Sequence, residues 1–104
     1  MLKITADVLK ANIREIDYAG RYRGEEFIII MPETDRKDSK VAAERLRLAV
    51  QGIHFDNHDV SVTISGGMAI ALEDGDNIAD LLKSADVALY NAKNSGRNLI
   101  CGVE

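Results

Sequence analysis

Phe27-Ile28-Ile29-Ile30-Met31 is an unbroken apolar run of five residues, three of them isoleucine. A run this short and this rich in β-branched and aromatic side chains reads as a strand rather than a helix turn. It is apolar on both faces, so it is expected to be an inner strand covered on each side, and Pro32 stops it from continuing as one. Ahead of it, Arg23-Gly24 marks a turn and Tyr18 to Tyr22 can be extended. The segment is therefore read as a β-hairpin whose second arm builds the core.

Helical periodicity flanks that hairpin. Leu2, Ala6, Leu9, Ile13 and Ile16 recur at steps of four and three, which predicts an amphipathic first helix. It starts without an N-cap, and we read it as having further sequence upstream. Thr34, Asp35 and Asp38 offer caps and early acidic charge to a second helix with the stripe Val41, Ala42, Leu46, Ala49 and Val50, ending at Gly52. Ile53 to Phe55 is expected as a short strand before the polar turn Asp56-Asn57-His58-Asp59. Val60, Val62 and Ile64 then alternate with polar neighbours. A bulge at Ser65-Gly66-Gly67 and a continuation over Met68 to Leu72 would make that strand long and bent. Ile78, Leu81, Leu82, Ala85, Ala88, Leu89 and Ala92 mark a third helix, stopped by Gly96. Leu99 to Cys101 is a final strand. The order helix, hairpin, helix, strand, helix, strand is an α+β plan with helices packed on a mainly antiparallel sheet.

At 104 residues the chain is one domain, read as residues 1–104. Seventeen acidic against thirteen basic side chains give a net charge of -4, which supplies no bulk attraction to nucleic acid or anionic membrane. No apolar run reaches the roughly 18 residues that would span a bilayer. Cys101 is the single cysteine, which excludes an intramolecular disulfide and suits a reducing compartment, so a cytoplasmic location is expected.

Several groups could carry chemistry. Glu25 and Glu26 follow the Gly24 turn, and strand alternation points them to opposite sides, so only one of them faces a ligand over the hairpin. A carboxylate at a turn suits a hard cation, and glycine lets backbone approach a phosphate. A solvated acidic turn is the plainer alternative. Lys93 and Arg97 lie four apart across a helix end, able to hold phosphates or simply to complement the helix dipole. Arg14 and Asp17 are three apart, either a surface ion pair or a guanidinium presented to a phosphate or purine. His54 and His58 have i,i+4 spacing but straddle a turn, which is poor for zinc. Gly66-Gly67 lacks dinucleotide-fingerprint spacing, and Cys101 has no neighbouring base.

Together these pieces resemble the GGDEF family, the diguanylate cyclase domains of bacteria. Three stretches carry the resemblance: Arg21-Tyr22-Arg23-Gly24-Glu25-Glu26-Phe27, then Val62-Thr63-Ile64-Ser65 with Gly67, then Ala85 to Lys93 followed by Gly96-Arg97-Asn98. The resemblance implies a fold like the palm of nucleotide cyclases and polymerases. It implies a homodimer that joins two GTP into cyclic di-GMP with release of two pyrophosphates, assisted by Mg2+ or Mn2+. Carried over by position, Glu25 is the metal-binding carboxylate, Glu26 the neighbouring acidic residue of the catalytic signature, and Gly24 the point of nucleotide approach. Lys93 and Arg97 would hold terminal phosphates. The family's product-inhibition motif, Arg-x-x-Asp five residues before the signature, matches Arg14-Glu15-Ile16-Asp17, to which Arg45 could add a second guanidinium.

The family pattern Asp-x-Asp-x-Phe-Lys-x-x-Asn-Asp has no counterpart in this sequence, so the usual first strand and helix, half of the metal cage and most purine contacts are expected to be missing. Arg23 stands where the signature has its first glycine, at a cost on the order of 1 kcal/mol if that position needs positive φ. Three readings follow: a cyclase of reduced activity, a module that binds cyclic di-GMP without turnover through Arg14 and Asp17, and a dimerisation scaffold.

Overall fold

A computed structural model describes residues 2–53 and 62–103. His54, His58, Phe55 and Val60, with the turn proposed around them, lie outside the described residues. The elements are α1 (Leu2–Ala11), β1 (Tyr18–Arg23), β2 (Glu26–Ile30), α2 (Arg36–Gln51), β3 (Gly66–Gly67), α3 (Ile78–Asn94) and β4 (Ile100–Cys101). This is the expected element order.

β1 and β2 pair antiparallel, with Ala19 opposite Ile29 and Arg21 opposite Phe27. Alternation sends Phe27, Ile29 and Met31 to one face, where they pack on the buried cluster Leu9, Leu46 and Val50 from α1 and α2. The expectation that β2 is an inner strand is corrected here: among the described residues β2 pairs only with β1, and Ile30 is 53% exposed. One apolar face is covered by two helices; on the other, among the described residues, Ile28 is partly covered and Ile30 exposed.

Two helix stripes also differ from expectation. α1 ends at Ala11, where the Asn12 amide bonds to the Leu9 carbonyl and its side chain donates to Val8. Ile16 therefore leaves the helical face and is exposed. In α2 the buried positions are Ser39, Leu46 and Val50. Val41, five residues before Leu46, sits about 140° around the helix from it and faces solvent. The cap is Asp35, whose carboxylate accepts from the Asp38 amide at 2.8 Å.

Among the described residues, from Val62 onward, the long bent strand is not formed. Val62 and Ile64 pack toward the core without a ladder among the described residues, where pairing in this segment is Gly66 with Ile100 and Gly67 with Cys101. That ladder is parallel, because α3 is the crossover between its strands. Gly67 is required there: a Cβ would overlap the Ala85 carbonyl oxygen and the Leu89 amide nitrogen of α3. Beyond it, Met68 to Leu72 does not resume a strand. Leu72 takes a left-handed φ of 70°, and the Asp74 carboxylate accepts from the Ile70 amide at 2.7 Å and from Arg36 at 2.9 Å through both oxygens. α3 lies against this ladder at Ala85 and Leu89, buries Ala88 and Ala92, and ends as the sequence indicates. Gly96 has φ 115°, and the Arg97 amide returns to the Ala92 carbonyl in a Schellman closure.

Candidate functional site

The hairpin tip is a two-residue loop, Gly24-Glu25, between the paired residues Arg23 and Glu26. Gly24 has φ +47° and is the tip's single left-handed residue, so Arg23 carries no left-handed strain and the cost allowed for it does not arise. Glu25 stands exposed at the tip, while Glu26 is half-buried. Arg23 reaches Glu26 at 3.5 Å and, across the chain, Asp86 of α3 at 3.5 Å, with its guanidinium 4.8 Å from the Tyr22 ring centroid. Along α3 lies a shallow, open depression of about 560 Å³ lined by Leu82, Lys83, Asp86 and Tyr90, with Tyr22 as its one hairpin residue.

Lys93 and Arg97 sit at the far end of α3, both exposed. Asp86 and Lys93 are seven residues apart, hence on one side of α3 and about 10 Å along its axis. Arg97 and Asn98 are both left-handed, with φ 64° and 51°. The Asn98 amide donates to Ser65 at 3.0 Å and its side-chain oxygen accepts from Arg47 at 2.9 Å. The turn presenting Arg97 is thus held from two sides. Among the described residues, no hydrogen bond or ion pair joins Glu25 or Glu26 to Lys93 or Arg97.

Arg14 and Asp17, by contrast, are in direct contact. The Arg14 Nε and Nη2 donate to the Asp17 carboxylate, at 2.9 Å for the shortest, and the Arg14 backbone amide adds a bond of 2.9 Å. Nη2 also donates to the Pro32 carbonyl at 3.0 Å and the Thr34 hydroxyl at 2.6 Å. The Asp17 side chain is 3% exposed and the Arg14 side chain 48%. The hydrogen bond from Arg14 holds the Asp17 carboxyl below its usual range against the opposing effect of burial, with the charge of Arg45 helping. The same bond raises Arg14. Arg45 is anchored by its own bond to the Asn12 carbonyl at 3.1 Å. Arg14, Asp17 and Arg45 therefore form one corner.

Sequence reading missed Asp86 and Thr34 as parts of these two regions. Asp86 lies in the quoted Ala85 to Lys93 stretch, where its spacing to Lys93 was the available signal. Nothing in the sequence links Thr34 to an arginine twenty residues away.

The family model described as "Diguanylate cyclase, GGDEF domain" matches residues 1–99. The chain belongs to the GGDEF family. Among curated relatives, the response regulator PleD of Caulobacter vibrioides is 44% identical over 98 residues, covering 90% of this chain and 22% of PleD. Diguanylate cyclase A of Treponema denticola is 35% identical, covering 96% of this chain and 28% of that protein. The chain thus spans about a quarter of these relatives. Among solved structures, the GGDEF domain of DgcB from Caulobacter crescentus, in complex with c-di-GMP, superposes at TM-score 0.90 with 28% identity. That match covers 98% of this chain and 62% of the DgcB one. The active GGEEF domain of a Vibrio cholerae diguanylate cyclase matches at 0.88 with 30% identity, covering 99% and 66%. The GGDEF palm-like α+β fold is therefore the fold of this chain.

GGDEF domains generally use a divalent metal. Among the described residues no three Asp, Glu, His or Cys side chains converge as a metal cage. Glu26 and Asp86 are both engaged by Arg23, which leaves Glu25 as an isolated exposed donor. A six-coordinate Mg2+ would need its other ligands from water, phosphate or another chain, so these residues by themselves do not fit the ion.

Proposed function

We propose that residues 1–104 are a partial diguanylate-cyclase-type domain whose hairpin and α3 handle GTP and whose Arg14–Asp17–Arg45 corner binds cyclic di-GMP. The second is the function that this chain's own residues complete. One observation carries it: the Arg14 fork is fixed in place by Asp17, Pro32 and Thr34 while its side chain remains half exposed. With Nε and Nη2 committed to Asp17, Pro32 and Thr34, a guanidinium held this way offers its Nη1 side to a phosphate or purine acceptor with little ordering cost at binding. Asp17 is too buried to lead the contact and serves to orient Arg14, while Arg45 supplies a second cation for a ligand with two phosphates. The c-di-GMP complex of the structurally similar DgcB domain supports the reading.

For synthesis, the family reaction of two GTP to cyclic di-GMP and two pyrophosphates assigns Glu25 to metal, Glu26 to the acidic signature, Gly24 to nucleotide approach, and Lys93 and Arg97 to phosphates. A homodimer would present the two GTP molecules. A cytoplasmic location goes with this reading, since GTP is its substrate. No helix of the described residues is long and apolar enough to cross a membrane. Calorimetric titration with cyclic di-GMP, alongside chromatography of GTP incubated with Mg2+, tests the reading. Binding of cyclic di-GMP that Arg14→Ala removes and Glu25→Ala spares is the expected result. Absence of binding by the unmodified chain at hundreds of micromolar ligand would overturn it.

A further inference from the structure

Directly after Gly96, both Arg97 and Asn98 hold left-handed backbone, with φ 64° and 51°. Asparagine visits that region readily, but an arginine there is disfavoured by its Cβ. Such a turn persists only where its surroundings over-determine it. The Arg97 amide is tied back to the Ala92 carbonyl at 3.0 Å. Asn98 is held from outside: its amide donates to the Ser65 hydroxyl at 3.0 Å, and its side-chain oxygen accepts from Nη1 of Arg47 in α2 at 2.9 Å. Arg47 is itself fixed. Its Nε donates to the two Glu44 carboxylate oxygens at 2.9 and 3.0 Å, Nη2 also meets Glu44, and Nη1 reaches the Gln51 side-chain oxygen at 3.3 Å. With its side chain only 15% exposed, water competes little for these bonds. One buried, charge-assisted fork in α2 thus sets the backbone beside an exposed arginine.

We propose that Arg47 is a positioning residue: by holding Asn98 it keeps the preceding residue, Arg97, in its left-handed conformation, ordered in advance for a polyphosphate ligand. The choice of ligand rests on the function proposed above, in which Lys93 and Arg97 hold phosphates. Arg47 acts through Asn98 and touches no ligand. A backbone ordered before binding spares the complex that ordering cost. If Arg47 only tied α2 to the turn for stability, its loss would loosen the turn and leave polyphosphate affinity unchanged.

The test titrates inorganic tripolyphosphate, without added metal, into the full chain and its Arg47→Met, Arg97→Ala and doubly substituted forms by calorimetry, and follows amide exchange at Arg97 and Asn98. Methionine keeps the apolar stem of Arg47 and removes its donors. Arg97→Ala should weaken binding roughly fivefold. Arg47→Met should weaken it roughly two- to fivefold and speed exchange at both amides, with exchange along α2 unchanged. In the double form Arg47→Met should add no further loss, because the side chain it positions is gone. Asn98→Leu breaks the same bond from its other end, leaves α2 untouched and should give the same loss as Arg47→Met. Unchanged affinity or exchange in Arg47→Met, a further loss in the double form, or full affinity in Asn98→Leu overturns the positioning role alone, provided Arg97→Ala still weakens binding. If Arg97→Ala binds tripolyphosphate as the unmodified chain does, the phosphate role of Arg97 is itself defeated, and the positioning role falls with it.

Discussion

The Arg14 corner and the hairpin mouth each set an arginine against carboxylates, yet they are built to opposite ends. At the corner the carboxylate is nearly inaccessible, the shortest bond is 2.9 Å, and a carbonyl and a hydroxyl complete the guanidinium's partners. At the mouth the same kind of side chain makes two contacts of 3.5 Å with more exposed acids. A charge pair shielded from water and fixed by several bonds is a preorganised recognition element, whereas an exposed pair is a contact that exchanges readily with solvent. The reading proposed above gives ligand binding to the corner; the mouth is the looser of the two contacts.

The sharpest way to break this contrast is to truncate each arginine in turn. Arg14→Ala should weaken cyclic di-GMP binding by roughly 30-fold or more, as expected for a central arginine anchor. Arg23→Ala should leave that affinity within about twofold in the same calorimetric titration. Equal losses in the two would erase the distinction. A smaller effect belongs to Thr34→Val, which removes one of the partners fixing Arg14. The loss of one hydrogen bond predicts a drop of about three- to tenfold in cyclic di-GMP affinity with the protein still folded.

At the hairpin tip, Gly24→Ala places a Cβ at φ +47°, where it meets no neighbour. The cost is backbone strain of about 1 kcal/mol, read from urea unfolding. Acid titration sharpens the comparison further. Asp17 is depressed below 3.8 by its bond from Arg14. Asp74 is pushed up by burial but depressed overall by Arg36 and the Ile70 amide. Carboxyls whose folded values are depressed contribute stability that is fully present above their unfolded values and is lost as pH falls through the lower folded values. Thermal melting should therefore stay level from pH 7 to about 5 and decline below about 4. Asp17→Asn should remove part of that decline. The smallest expected change is in stability at the mouth: Arg23→Ala should shift the unfolding free energy by no more than about 0.5 kcal/mol.

Legibility from the chain varied with the kind of signal. Asp35 and Gly96 were readable as helix boundaries because capping depends on residues adjacent in sequence. Arg14 and Asp17 were readable as a pair because three residues bring them together locally. Ile16 and Val41 were misplaced, since periodicity marks an apolar stripe without telling where a helix stops or which part of the stripe meets a neighbour. In the β3–β4 ladder the second arm was readable at Leu99 to Cys101, but its pairing was not. The ladder is two residues long on each side and its first arm is glycine, which has no side chain to show a pattern.

What this protein's residues determined by themselves is local and additive: a hairpin closed at Gly24, helices where a cap such as Asp35 or Gly96 marks the boundary, an arginine–aspartate pair at the right spacing, and the family signatures. The tertiary structure decided which arginine became rigid and which stayed loose. That choice depends on burial and on partners twenty or more residues away, Thr34 for Arg14 and Asp86 for Arg23, whose distances are set only when the elements pack.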